Sequence, residues 1–166
     1  MAHDITVSDG ATLAGTFMDW ILKPDGTLSV EEELATAVRV ALGSDRLADL
    51  NEVLPDPDSQ DRRGWWGDIE AEEIWGGWPI GCKNWLLRRA KIADEFSWEG
   101  ATVVRAKSYT RESLQPFIDK RICSQIDVDA TRVGREEIDV RVVMWRGPKT
   151  RVELRFQYLW KEVIET

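Results

Sequence analysis

Ile138-Asp139-Val140-Arg141-Val142-Val143-Met144-Trp145, then Arg146-Gly147-Pro148-Lys149-Thr150, then Arg151-Val152-Glu153-Leu154-Arg155-Phe156-Gln157-Tyr158-Leu159-Trp160, is the stretch that decides the fold. Apolar residues occupy the even positions 138 to 144 and 152 to 160, while charged and polar residues fill most odd positions. Side chains of a strand alternate between its two faces, so a period of two marks strands with one buried face. The Gly147-Pro148 link between the two runs reads as a hairpin connection. Ile126, Val128 and Ala130 carry the same parity upstream and predict a third antiparallel strand.

Two helices are expected beneath this sheet. Ser29 and Glu32 form a capping pattern, and Val30, Leu34, Ala37, Val38, Ala41 and Leu42 keep helical spacing up to Gly43. Leu114, Phe117, Ile118, Ile122 and Ile126 predict a second helix over 110–126, which Pro116 requires to begin near it or to kink. Ile5-Thr6-Val7 and Phe17-Met18-Asp19-Trp20-Ile21-Leu22, with the turn signal Lys23-Pro24-Asp25-Gly26, predict a short N-terminal β element. The expected architecture is α+β: a small three-stranded antiparallel sheet in the C-terminal half, packed on two main helices, with a short N-terminal β element and a long Trp-rich acidic loop. A single domain over 1–166 is expected, with 1–16 as a loosely packed arm.

The chain has 166 residues, with 22 Lys plus Arg against 30 Asp plus Glu, a net charge of -8. That balance disfavours general affinity for nucleic acid or anionic lipid, and the isolated chain is expected to stay a soluble monomer. One histidine, His3, removes Ser-His-Asp and multi-histidine zinc chemistry from the chain's own repertoire. Cys82 and Cys123 form no CxxC motif and read as small buried side chains in a reducing compartment. No apolar run is long enough to span a bilayer. No cofactor or metal motif is present: there is no Gly-rich phosphate loop and no calcium loop.

Residues 44–73 hold ten acidic and three basic residues, whereas 83–111 hold seven basic and three acidic. The first segment contains Asp61-Arg62-Arg63-Gly64-Trp65-Trp66-Gly67-Asp68, and the second contains the short helical run Lys83-Asn84-Trp85-Leu86-Leu87-Arg88-Arg89-Ala90. Of nine tryptophans, Trp65, Trp66, Trp75, Trp78 and Trp98 with Trp85 crowd this irregular region. Rings placed there serve either as interface anchors or as a satellite core under the long loop. Arg62 and Arg63 either pin the loop through neighbouring acids or pair across an interface. Trp145, with Val143 and Leu159, falls on the outward face of the hairpin and is a further contact candidate. Asp61, Asp68, Glu70, Glu72 and Glu73 beside Trp65 and Trp66 could serve sugar hydrolysis, a muralytic alternative, although acids in a solvated loop are far commoner. Arg62, Arg63, Arg88 and Arg89 near tryptophan could clamp phosphates, but the surrounding acids would repel a nucleic-acid backbone.

The ordered pair Asp61-Arg62-Arg63-Gly64-Trp65-Trp66-Gly67-Asp68 and Asn84-Trp85-Leu86-Leu87-Arg88-Arg89-Ala90-Lys91 resembles the tail baseplate protein family of Mu-type contractile phages and prophages. The resemblance spans roughly residues 17–160 and extends more distantly to small wedge subunits of T-even-type baseplates and type VI secretion machines. It implies a non-enzymatic structural subunit of the virion tail baseplate, assembled in the bacterial host cytoplasm. Its implied partners are a larger wedge subunit, the spike or hub, and the first sheath or tube ring. Under it, Arg62, Arg63, Trp65, Trp66, Asp68, Trp85, Arg88, Arg89 and Trp145 are the candidate partner-binding residues. Cys123-Ser124-Gln125 stands where the distant relatives carry an acidic-Pro-Arg triplet, a departure from their contact scheme.

Overall fold

In the computed structural model the described residues are 7–12, 15–20, 23–26, 33–89, 102–133, 137–147 and 150–159. The fold is α+β. Near the N-terminus, β1 (Val7–Thr12) and β2 (Gly15–Trp20) pair antiparallel, from Val7 opposite Trp20 to Thr12 opposite Gly15. The following Lys23–Gly26 turn closes with Gly26 N–H donating to the Lys23 carbonyl at 2.9 Å, with Pro24 and Gly26 in their favoured turn positions.

Helix α1 (Glu33–Gly43) buries Ala35, Val38, Ala41 and Leu42. The proposed Ser29 and Glu32 cap, and Val30, lie outside the described residues. A short helix α2 (Ala71–Trp75) interrupts the long connection that follows. Helix α3 (Thr102–Asp119) differs from the expected 110–126 helix at both ends. Its buried face runs Val103, Ala106, Thr110, Ser113, Leu114 and Phe117, an unbroken helical repeat in which two members are polar. Those hydroxyls are satisfied inside: Thr110 Oγ1 accepts from Asn84 Nδ2 at 3.2 Å, and Ser113 Oγ donates to the Ala41 carbonyl at 3.1 Å. The second bond ties α3 to α1.

Pro116 therefore lies in the last turn of α3, where its missing N–H removes one helical bond, that to the Glu112 carbonyl a turn earlier, while Lys120 N–H still donates to the Pro116 carbonyl at 2.9 Å. Arg121 adopts φ 58°, the left-handed conformation that ends a helix. Arg121 N–H donates to the Ile118 carbonyl and Ile122 N–H to the Phe117 carbonyl, both at 2.9 Å, which is the paired Schellman closure. Ile122 and Ile126 fall outside the helix because this closure turns the chain; Ile126 enters a strand instead.

The C-terminal sheet has strand order β3 (Gln125–Arg132), β4 (Glu137–Trp145), β5 (Thr150–Leu159), antiparallel throughout. Ile126 pairs with Met144, Val128 with Val142 and Ala130 with Val140; across the next pair Met144 faces Val152 and Val142 faces Leu154. Both registers match even with even, so one parity of β3 and β4 forms one face. On that face Ile138, Val140, Val142 and Met144 are fully buried. They join Val38, Leu87, Leu114 and Phe117 in a core between the sheet and the two helices.

Arg121 occupies a backbone conformation that costs an L-residue about 1 kcal/mol or more. The variant Arg121→Gly is expected to raise unfolding free energy by up to about 1 kcal/mol in urea titrations; a loss of stability would mean that the Arg121 side chain contributes more than its backbone costs.

Candidate protein-docking surface

The connection between α1 and α3 is fastened at several points before it presents anything outward. Cys82 N–H donates to the Ser44 carbonyl at 2.9 Å and Arg46 N–H to the Cys82 carbonyl at 3.2 Å, a parallel bridge that joins the two ends of the loop. Gly81 makes this approach possible: it has φ 113°, and a Cβ there would lie 2.7 Å from Arg46 N and 2.9 Å from the Ser44 oxygen. Burial pushes the Cys82 thiol up to about 11, so it stays protonated packing material near neutrality.

Lys83 follows, with a side chain only 7% exposed. Its ammonium lies 2.5 Å from Asp49 Oδ2, 3.4 Å from Glu52 Oε2 and 3.6 Å from Glu112 Oε1. Burial acts to lower the Lys83 pKa, but the Asp49 hydrogen bond and the fields of Glu112 and Glu52 outweigh it, and the net shift is upward. The same hydrogen bond and charge hold the Asp49 carboxyl below its ordinary value. Glu112 belongs to α3 and also faces Arg46 at 3.6 Å, so the junction ties the acidic loop to the helix.

A satellite core lies beside the junction, where Trp85 and Leu86 pack with Ala48 and the half-buried Leu54 and Tyr109. Trp85 is 5% exposed and its Nε1 donates to the Arg46 carbonyl at 2.8 Å. The Arg63 guanidinium stacks 4.8 Å from the Trp85 ring centroid and pairs with Asp45. Arg62 donates to the Ala48 carbonyl, and Ala48 N–H returns a bond to the Arg62 carbonyl at 3.0 Å. Both arginines thus brace the loop from beneath.

Above this base the chain turns outward. Trp66, in a 3₁₀ turn over Trp66–Asp68, is 79% exposed, and its ring centroid lies 5.4 Å from that of Trp65, which is 38% exposed. Gly67 lies under the Trp65 ring; a Cβ there would come within 2.4 Å of it. Leu47, which a Cβ on Gly64 would meet at 3.1 Å, is exposed, as is Ile69 just after the turn. Leu50 and Val53 protrude from the same loop. Surface leucines occur singly in most proteins, but two large rings with apolar neighbours on a pinned loop form a surface suited to another protein.

The family model for phage protein GP46 matches residues 34–151. The chain belongs to that family. Baseplate protein gp46 of Escherichia phage Mu is 39% identical over 103 residues, which are 62% of this chain and 63% of the relative, so less than two thirds of the relative's length is spanned. The GP46 match covers α1, the braced loop, α3 and most of the sheet, and excludes the β1–β2 hairpin.

Within this GP46 region the sequence candidates divide. Trp65 and Trp66 are outward. Trp85 is a correction: it lies in the satellite core, where a partner cannot reach its ring, because Ala48, Leu86 and Arg63 enclose it. Arg62 and Arg63 are spent on internal contacts, through Ala48 and Asp45 rather than through Asp61 or Asp68. Asp68 is half-buried and accepts the Ile80 N–H at 2.8 Å, and exposed Asp61 accepts the Arg63 N–H at 2.8 Å. Both carboxylates hold loop geometry. Arg88 and Arg89 are exposed, Arg89 lying 3.6 Å from Asp56. Trp78 meets Phe117 edge-on at 6.1 Å and so braces α3. Trp145 is half-buried at the end of β4, far along the chain from the tryptophan pair. The side chains of Trp20, Trp75 and Leu159, and residues Trp98 and Trp160, lie outside what the structure describes. No group of three potential metal ligands occurs among the described residues. No helix among them is long and apolar enough to cross a membrane.

Sequence reasoning missed Lys83, Leu47, Leu50, Val53 and Ile69. The available signal was an acidic segment carrying apolar residues with no period, which no core-facing element would explain.

The Lys83 junction makes a pH-dependent contribution. Asp49 titrates below 3.8 when folded, so its contribution is present above that value and lost as pH falls through the lower folded one. The raised Lys83 value acts oppositely: its contribution is present below 10.5 and lost as pH rises through the folded value. Lys83→Met is expected to lower the urea midpoint at neutral pH, and the gap from the unaltered chain should close as pH drops below about 4. A gap independent of pH would assign the effect to packing. Gly81→Ala should cost about 2 kcal/mol or more through backbone strain and displacement of the Ser44–Arg46 segment, read in the same titration.

Proposed function

We propose that this chain is a structural, non-catalytic subunit of a contractile phage or prophage tail baseplate. It joins a larger wedge subunit to the spike or hub and to the first sheath or tube ring. The observation that carries the reading is the tryptophan pair itself: Trp65 and Trp66 stand outward on a loop whose Arg62, Arg63, Lys83 and Trp85 are committed to contacts within the chain. Holding large rings in the open exposes apolar area to water, about 25 cal/mol for each Å² left uncovered, unless a partner covers it. The Mu relative's description as a baseplate protein supports a virion tail location and other baseplate proteins as the partners. The outer strands of the two-stranded and three-stranded sheets, each paired on one side among the described residues, offer additional places for strand addition by neighbours.

Complementation of a phage or prophage lacking the gene tests the reading. The double variant Trp65→Ala, Trp66→Ala is expected to keep native circular dichroism, and to reduce infectious particles by about a hundredfold or more, as loss of two anchor residues would. Because Trp65 also covers Gly67, Trp66→Ala alone serves as the control that leaves the loop intact. Normal particle yield from a folded Trp66→Ala protein would remove the tryptophan pair from assembly.

A further inference from the structure

We infer that the surface receiving Trp66 is cationic: an apolar recess on another protein, bordered by Lys or Arg side chains. This rests on the docking role proposed for the tryptophan pair and specifies the chemistry of its partner. Of the thirteen charged residues in 44–73, ten are acidic and three basic. All three cations are used within the chain. Arg46 faces Glu112, Arg62 bonds the Ala48 carbonyl, and Arg63 pairs with Asp45 over the Trp85 ring. Asp49 and Glu52 are answered by Lys83, and Asp56 by Arg89. Asp58, Asp61, Glu70, Glu72 and Glu73 are exposed and have no ion pair among the described residues.

Four of these five flank the tryptophan turn in sequence: Asp61 precedes it, Glu70 follows Ile69, and Glu72 and Glu73 open α2. An apolar centre flanked along the chain by acidic residues is an arrangement in which complementary charge speeds encounter and excludes wrong partners, while the buried centre sets the lifetime. A neutral or acidic partner would leave the rim carboxylates desolvated without compensation, a cost each contact would carry. Positive charge bordering the recess removes that cost.

Each other baseplate protein of the same phage or prophage, purified singly, is titrated against the full-length chain from about 0.05 to about 0.5 M salt, a range over which the screening length falls severalfold. One of them is expected to bind with an affinity that declines with salt. Trp66→Ala should weaken it about tenfold or more, and Glu70→Gln, Glu72→Gln, Glu73→Gln together should weaken it at low salt and flatten the salt dependence. The salt series on the unaltered chain tests the charge argument even if the triple variant folds poorly. Binding that needs Trp66 yet ignores salt and the glutamates would overturn the cationic partner and leave the docking role standing. Binding of every baseplate protein unchanged by Trp66→Ala would overturn the docking role itself. Sedimentation showing Trp66-dependent self-association would make the occupant a second copy of this chain and overturn the inference.

Discussion

The Lys83 ammonium, almost wholly enclosed and shared by Asp49, Glu52 and Glu112, is the contact on which the placement of the long loop depends. Removing an ammonium from water costs several kcal/mol unless charges and hydrogen bonds compensate. Here the compensation is lopsided in a favourable way. Asp49 is 72% exposed and Glu112 44%, so these two carboxylates keep much of their hydration, while Glu52 at 21% keeps less and Lys83 loses most of its own. The desolvation penalty falls mainly on Lys83, with a smaller share on Glu52, and the attraction comes from three carboxylates. Since two of the three acids lie in the loop and the third on α3, the balance is met only when the loop lies against the helix. The helix is in turn fixed to α1 by Ser113 and to the sheet through Leu114 and Phe117.

A pinned loop changes what exposed tryptophans can do. Association loses less free energy to ordering when the anchor is already held, and aromatic side chains have few rotamers to lose. The Trp65–Trp66 pair follows directly on Arg62 and Arg63, which are held by the Ala48 carbonyl, Asp45 and the Trp85 ring, so the proposed anchor is carried by a fastened segment. This division also explains why two arginines precede the two tryptophans in one short string: the arginines face the protein and the tryptophans face away. Arg63 (φ 54°) and Gly64 (φ 106°) turn the chain between the two pairs, so the roles change within four residues.

How much of this is legible in the chain depends on whether a residue's fate is decided locally. The even-numbered apolar positions of β3 and β4 are readable because pairing in both registers preserves parity, and the buried residues 138 to 144 follow it. Helix α3 is less readable at its start, since Thr110 and Ser113 break the apolar repeat and are acceptable inside only because Asn84 and Ala41, distant in sequence, satisfy them. Pro116 reinforces the misreading, because proline fits a first turn, where its N–H is not needed, whereas here it lies in the last turn at the loss of one helical bond. Trp66 and Trp85 carry no local mark that separates them: each sits in a 3₁₀ segment near arginines. Trp85 is buried because the Ser44–Cys82 bridge brings Arg46, Ala48 and Arg63 around it, a closure spanning about forty residues that no short-range pattern encodes. Arg63 likewise reaches Asp45, eighteen positions away, although Asp61 and Asp68 are nearer in sequence.

The outward side of the sheet offers a comparison that favours the tryptophan turn as the primary contact. A groove of about 600 Å³ is lined by Lys107, Arg111, Asp127, Asp129, Arg141 and Trp145, so a concave site with an aromatic wall exists there too. Its charges, however, largely answer one another. Lys107 lies 3.3 Å from Asp129, Asp127 accepts from Gln125 Nε2 at 3.1 Å, and Arg141 sits opposite Asp129 in the ladder. A ligand entering that groove would have to replace contacts already made, gaining only the difference between old and new partners. At the tryptophan turn Glu70, Glu72 and Glu73 are exposed and have no ion pair among the described residues to give up. Both surfaces are polar and aromatic, but more of the charge beside the tryptophan turn is left without an ion pair among the described residues, and that asymmetry, rather than concavity or tryptophan content, is what supports the docking role proposed for the turn.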